Sequence, residues 1–253
     1  MKITFLGTGT STGVPEIGCQ CEVCTSKDPR DRRMRTSVLV ETKGKRILLD
    51  CGPDFRWQMI TNNIYNLDAV LISHEHYDHV GGLDDLRPFC VPKGIDVYAE
   101  DYVAKAIKTR MPYAFRAHKY PGIPNLELHA IQDEPFSVAG IPVVPVRIMH
   151  ACMPIFGYRI GKMAYLTDVK TIPKEEFAKL KGLDVLILDA LRHKPHLSHE
   201  NVEEALLNIR QIQPKESYLI HMSHRIGLHE FAGKEFPPHV YLSYDGLSLS
   251  MPD

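Results

Sequence analysis

The 253-residue chain sets 30 Lys and Arg against 31 Asp and Glu, for a formal net charge of -1. That balance supplies no global field for gripping nucleic acid or an anionic membrane. A hydrophobic content of 44% with 24% charged residues describes an ordinary globule with a sizeable core, and the opening MKITFLGTGTSTG has neither a leader nor a membrane-length apolar run, which points to the cytoplasm.

In chain order, KITFLGTG reads as a first strand entering a Gly-rich loop. Gly7, Gly9 and Gly13 have a spacing near that of a phosphate-binding fingerprint, but no helical pattern follows and CQCEVC intervenes. TSVLVETKGKRILLDCG predicts two antiparallel strands joined at Lys43-Gly44, the second ending at Asp50, and a helix is expected near 54–61. LDAVLI (67–72) predicts a buried strand running into SHEHYDHVGG. IDVYAE is a short strand and DYVAKAIKTRM a helix with Asp101 at its start. FSVAGIPVVPVRIMH and FGYRIGKMAYLTD form a second set of strands with a turn at Gly161. PKEEFAKLKG begins with Pro and ends with Gly, as a helix does, and LDVLILDA reads as a strand buried on both faces. SHENVEEALLNIRQI is the clearest amphipathic helix, with Ser198 or Asn201 as its cap. ESYLIHMSH is another strand, and VYLSYDGLSLS a hairpin about Asp245-Gly246. Strands and a helix occur twice over, without a linker or low-complexity stretch, so residues 1–253 read as one α/β domain.

Chemistry concentrates where strands end. His74, His76, Asp78 and His79 crowd the segment after LDAVLI. His74 and His76 can approach one ion from an extended segment, while Asp78 and His79, beyond the turn, can face a second. Imidazole and carboxylate donors together suit Zn, Mn or Fe. His150, Asp168 and His221 each follow an apolar strand and supply the further ligands that two ions require, Asp168 being the natural bridge because one carboxylate offers two oxygens. Cys19, Cys21 and Cys24 are three thiolates of a tetrahedral site, and His224 is the best candidate for its fourth ligand. Cys51, Cys90 and Cys152 stand apart as small hydrophobes.

HEHYDH matches the HxHxDH signature, and on it the chain resembles the metallo-β-lactamase superfamily. The resemblance implies a four-layered αββα sandwich with a dinuclear site of divalent Zn, Mn or Fe. It implies His74, His76 and His150 on one ion, Asp78, His79 and His221 on the other, Asp168 bridging, and Asp50 as the buried aspartate that orients the metal loop. With the GTG loop, the Cys-x-Cys-x-x-Cys segment and the late His224, the chain looks like the phosphoribosyl cyclic phosphate phosphodiesterases of phosphonate operons and, more distantly, ribonuclease Z. That resemblance implies a structural Zn on Cys19, Cys21, Cys24 and His224, and places His199 at a phosphate-contacting position. A helix start there would favour an anion.

The expected activity is hydrolysis of a small phosphodiester or cyclic phosphate by a metal-bridging hydroxide. His199 acts there as phosphate ligand or general acid, with Asp78 and Asp168 beside it. Arg35, Arg56, Arg87, Arg192 and Arg225 are candidates to grip a second phosphate. The alternatives are a thioesterase or lactonase, which gives His199 no reason, a ribonuclease Z-like nuclease, and a non-catalytic metal-stabilised module. The absence of a basic insertion argues against transfer RNA as a partner. A homodimer stays open.

Overall fold

The computed structural model describes residues 1–116 and 122–252. Its first sheet is built from β1 (Lys2–Gly7), β2 (Ser37–Thr42), β3 (Lys45–Leu49), β4 (Ala69–Leu71), β5 (Ile95–Glu100) and β6 (Leu126–Ile131). The second holds β7 (Phe136–Val138), β8 (Ile141–His150), β9 (Met153–Ile160), β10 (Met163–Leu166), β11 (Val185–Asp189), β12 (Glu216–Ile220) and β13 (Val240–Leu242), and the last strand, β14 (Ser248–Ser250), joins the first sheet. The orders are β14-β1-β2-β3-β4-β5-β6 and β13-β12-β11-β10-β9-β8-β7. Helices α1 (Phe55–Thr61), α2 (Tyr77–Val80) and α3 (Asp101–Arg110) follow strands of the first sheet; α4 (Val202–Ile212) and α5 (His229–Ala232) belong to the second half. Two sheets with flanking helices are the α/β sandwich expected.

Alternation along the strands explains the layers. In β3, Ile47 and Leu49 face the core between the sheets, with Ile3, Phe5, Tyr158, Tyr165 and Ile187. Leu48 faces the other way, into a core shared with Phe55 of α1 and Val103 and Ile107 of α3. Across the molecule, Leu186 and Leu188 of β11 pack with Val202 and Ala205 of α4. Strands covered on both faces read as unbroken apolar runs, and each fully buried side chain contributes ~1.5–3 kcal/mol. Lys43 and Gly44 both take positive φ, 48° and 73°, as a two-residue type I′ hairpin requires.

Three local expectations are corrected. Lys174–Leu180 is a 3₁₀ rather than an α-helix. Helix α4 is capped by Asn201, not Ser198, through a reciprocal box in which the Glu204 N–H donates to the Asn201 side chain and the Asn201 N–H to the Glu204 carboxylate. β13 and β14 form no hairpin: β13 pairs with β12 and β14 with β1. The Asp245 carboxylate accepts from the Thr8 hydroxyl at 2.7 Å and the Met34 N–H at 2.6 Å, which draws the intervening turn across to the first sheet. Among the described residues no helix is long and apolar enough to cross a membrane.

Candidate metal centre

The strands β4, β8, β10, β11 and β12 all deliver their last or next residues to one end of the sandwich. His74 and His76 lie in the loop after β4, Asp78 and His79 on α2, His150 at the end of β8, Asp168 beyond β10 and His221 just after β12. Asp50, Asp168 and His221 adopt positive φ of 61°, 58° and 60°. Each such non-glycine residue costs of order 1–3 kcal/mol, and three at one strand-end cluster mark where the fold sacrifices backbone comfort for side-chain placement.

Asp168 is the hub. One of its oxygens lies 3.1 Å from His79 Nε2 and 3.4 Å from His221 Nε2; the other lies 3.8 Å from His74 Nε2. Asp78 Oδ2 sits 3.2 Å from His79 Nε2 and 3.4 Å from His221 Nε2. Donor atoms gather into metal-sized groups of Asp78, His79, Asp168 and His221; of His74, His76 and Asp168; and of His150, Asp168 and His199. Asp168 belongs to all three.

Hydrogen bonds behind the rings set their tautomers. His79 Nδ1 donates to Asp50 Oδ2 at 2.8 Å, leaving the Nε2 lone pair for the centre. Ser73 Oγ donates to Asp50 at 2.9 Å and so accepts from His74 Nδ1 at 3.0 Å, with the same result. His150 Nδ1 donates to the Asp168 carbonyl at 3.0 Å. Asp50, also bonded by Tyr165 at 2.7 Å and the Ser73 N–H at 2.8 Å, is the orienting residue expected of it.

The buried Nε2 atoms of His74 and His79 have no hydrogen-bond partner. Burial raises Asp168, yet His221, His79 and His74 outweigh it and hold the carboxyl well below the usual range. Burial lowers His79, but Asp78, Asp168 and Asp50 together raise it well above the imidazole range. Burial first, then the neighbouring His79 and His76, keeps His74 well below that range against the pull of Asp168 and Asp78. Crowded carboxylates among buried imidazole nitrogens that lack hydrogen-bond partners, all gathered at one point, fit divalent cations.

A second donor set lies apart. Cys19, Cys21, Cys24 and His224 bring their ligand atoms within 4.8 Å of one another, and no disulfide joins the cysteines. The Cys24 N–H donates to Cys21 Sγ at 3.5 Å and holds that thiol down, and the Glu16 N–H donates to Cys24 Sγ at 3.4 Å. Burial, with the neighbouring thiols, pushes Cys24 up to about 11. His224 Nδ1 is buried without a hydrogen bond, 3.3 Å from a Glu16 oxygen. Three sulfurs and one imidazole fit a closed tetrahedral site.

His199 arrives beside the centre, though not at a helix start. It precedes the Asn201 cap by two residues, so the free N–H groups of α4 do not explain its place. Asp189, the last residue of β11, explains it: His199 Nδ1 donates to Asp189 Oδ2 at 2.9 Å. The sequence reading missed Asp189, although an acidic residue closing an apolar strand is the signal that singled out Asp168. Burial pushes Asp189 up and His199 down, so sharing a proton across their contact is the cheapest arrangement. Of the candidate arginines, Arg35 and Arg87 are paired with Asp54 and Asp84, and Arg192 donates to backbone carbonyls. Arg56 and Arg225 are exposed.

The Beta-lactamase superfamily domain matches residues 45–222. An octanoyltransferase of Porphyromonas gingivalis is 52% identical over 250 residues, covering 98% of this chain but 51% of that protein, so the chain spans about half the length of this relative. A crystal structure described as a new diphosphatase from the PhnP family is 40% identical, with a TM-score of 0.92, covering 98% of this chain and 96% of that one. The short form of human tRNase Z has the same fold at 19% identity and a TM-score of 0.72, covering 100% of each chain.

Proposed function

The chain belongs to the beta-lactamase superfamily and, within it, beside the PhnP family, and from that premise we propose a metal-dependent hydrolase of small phosphodiesters, cyclic phosphates foremost. The observation that carries the reading is Asp168, common to three inward-facing donor groups, with the His199–Asp189 pair at their edge. In this reading His74, His76 and His150 would hold one ion and Asp78, His79 and His221 the other, with Asp168 within reach of both. Cys19, Cys21, Cys24 and His224 would hold a structural zinc.

Divalent ions at such a centre supply Lewis-acid charge and a water acidic enough to act as nucleophile near neutral pH. The protein does the rest. Asp50 and Ser73 lock the imidazole tautomers, and Asp189 fixes His199 so that its Nε2 faces a phosphoryl oxygen or the leaving oxygen. The mouth carries no basic arm among the described residues, which favours a small substrate over folded RNA. The same reading takes the chain as one domain acting in the cytoplasm.

A second reading follows from the 40%-identical relative named a diphosphatase: the same centre would then cleave a phosphoanhydride. The name octanoyltransferase belongs to a protein about twice as long and carries no acyl chemistry to this centre. A panel assay of metal-loaded protein decides: a ribosyl cyclic phosphate, a nucleoside diphosphate, precursor transfer RNA, a lactone and an acyl thioester. The cyclic phosphate is expected to give the highest kcat/KM, and His199→Ala to lower it by ~10²–10⁴-fold with metal content retained. Turnover of thioester or lactone alone would overturn the reading.

A further inference from the structure

A fifth residue stands at the edge of the cysteine donor set. Glu16 lies three residues before Cys19, where the chain passes from the Gly-rich loop into CQCEVC. Its backbone is tied to the set on both sides. The Glu16 N–H donates to Cys24 Sγ at 3.4 Å, and the Glu16 carbonyl accepts from the Cys19 N–H at 3.0 Å. Its carboxylate turns to the fourth donor, with one oxygen 3.3 Å from His224 Nδ1, and it pairs with no Lys or Arg among the described residues. Glu16 thus touches three of the four donor residues.

Two properties separate this contact from an ordinary surface ion pair. The first is the partner atom: His224 Nδ1 is buried and has no hydrogen bond, which marks it as the nitrogen left for a metal. The second is spacing. Nitrogen and oxygen donors ~2.0–2.2 Å from one tetrahedral ion stand roughly 3.3–3.5 Å apart. The 3.3 Å between the Glu16 oxygen and His224 Nδ1 is therefore the distance between two ligands of one ion. Yet the gathered set of three sulfurs and one imidazole already fills a tetrahedron. An oxygen ligand fits only while one sulfur is still unbound.

Exposure supplies the direction. The Glu16 side chain is 45% exposed and that of His224 14%, so the carboxylate is the part that meets water. A carboxylate attracts a hydrated cation, whereas thiolate is the donor that a softer ion such as zinc prefers.

We propose that Glu16 is an entry ligand of the cysteine site. Its carboxylate and His224 Nδ1 take the ion from water, and the carboxylate gives way as the last thiol loses its proton to solvent and binds as thiolate. Release runs back along the same steps. This rests on the reading of Cys19, Cys21, Cys24 and His224 as a zinc site and adds a way in and out of it.

The test uses the full chain loaded with Co²⁺. Thiolate-to-cobalt charge-transfer absorption reports this site alone, because the donor groups around Asp168 contain no sulfur. Release is timed on mixing with excess EDTA, Kd comes from competition with the chelator, and the two together give the uptake rate. Glu16→Gln removes the charge and keeps the length; Glu16→Asp keeps the charge and draws it out of reach. Both retain the backbone bonds to Cys19 and Cys24. In both, uptake and release are expected to slow together by about tenfold, the lower end of what local charge contributes to association with a counter-ion, with Kd and the final spectrum unchanged. Slower uptake with normal release, in Gln but not in Asp, would reduce Glu16 to charge steering and overturn the inference. Faster release with a weaker Kd would also overturn it and make Glu16 a support for His224. An altered final spectrum would make it a permanent ligand, and unchanged rates in both variants would leave it without a role; either result rejects the proposal. Wild-type protein without the charge-transfer band would instead sink the zinc-site reading, and this inference with it.

Discussion

The two donor clusters are built in opposite ways. The Asp168 centre collects its side chains from five strand ends in both sheets, residues 74 to 221, and its rings are held from behind by buried partners. The cysteine centre takes three of four ligands from one six-residue loop and the fourth, His224, from the segment after β12. Assembled by the whole fold, the first can leave its inner edge open to substrate without losing its geometry. The second gathers its donors mainly on one short loop, and a metal held there would tie that loop to the segment after β12. Openness and chemistry go with the distributed centre, and closure and scaffolding with the local one.

Removing the hub tests that division most severely. Asp168→Ala takes an oxygen from both halves of the centre and leaves His74, His79 and His221 without their shared carboxylate. Hydrolysis is expected to fall on the order of 10³-fold or more, and the catalytic metal content to fall with it. Metal analysis beside kcat/KM is the measurement. A variant that kept full metal and near-normal turnover would show that Asp168 is not the bridge. The cysteine site should keep its zinc, because nothing in it touches Asp168.

The converse change is milder for chemistry and harsher for folding. Cys19→Ser, Cys21→Ser and Cys24→Ser together are expected to remove one zinc per chain and to lower stability by a few kcal/mol. That is well short of the ~10–16 kcal/mol of isolated zinc-finger peptides, because the sandwich cores supply the rest. Urea unfolding and zinc content read both effects. Activity per folded, metal-loaded molecule should drop by no more than the roughly 10–100-fold of a support that acts through its neighbours. A drop as large as that of Asp168→Ala would erase the distinction between the two centres.

How much of this was legible in the sequence follows the same divide. The cysteine loop and HEHYDH are local, so spacing alone exposes them. His150, Asp168 and His221 are distant from one another, yet each ends an apolar strand, and in a two-sheet fold such ends converge. Asp189 obeys the same rule and went unread, since His193, His196 and His199 all follow it and spacing does not say which of them folds back onto it; His199 does, at 2.9 Å. The crossing of β14 to the first sheet was hidden for another reason. Asp245-Gly246 is a good hairpin dipeptide locally, and its bonds to the distant Thr8 and Met34 turn it into a crossover. Lys174–Leu180 shows the limit of end signals: its Pro and Gly mark boundaries but leave α and 3₁₀ undistinguished.

The smallest effect concerns the strut that joins the two centres. The buried Arg33 donates to Thr8 Oγ1 at 2.9 Å and to the Ser243 carbonyl at 2.7 Å, and its Nη2 lies 3.3 Å from His229 Nδ1. The His229 N–H donates to Asp31 at 2.7 Å, at the base of the cysteine loop, while the Thr8 carbonyl accepts from Met222, next to His221. A proton on His229 would face Arg33 and remove the acceptor. Burial first, then Arg33 and Arg30, lower His229 from 6.5 to about 4. A histidine whose folded pKa is depressed contributes stability that is full above its unfolded value and is lost as pH falls through the folded one. The window is therefore from about pH 6.5 down to about 4. His229→Gln keeps an acceptor for Arg33 and does not titrate. The difference in urea midpoint between wild type and this variant is expected to shift in the variant's favour as pH falls across that window, whatever other groups do in both proteins. A difference constant with pH would mean that His229 is free to charge in the fold, and that the strut joins the two centres through Thr8 and Ser243 without its help.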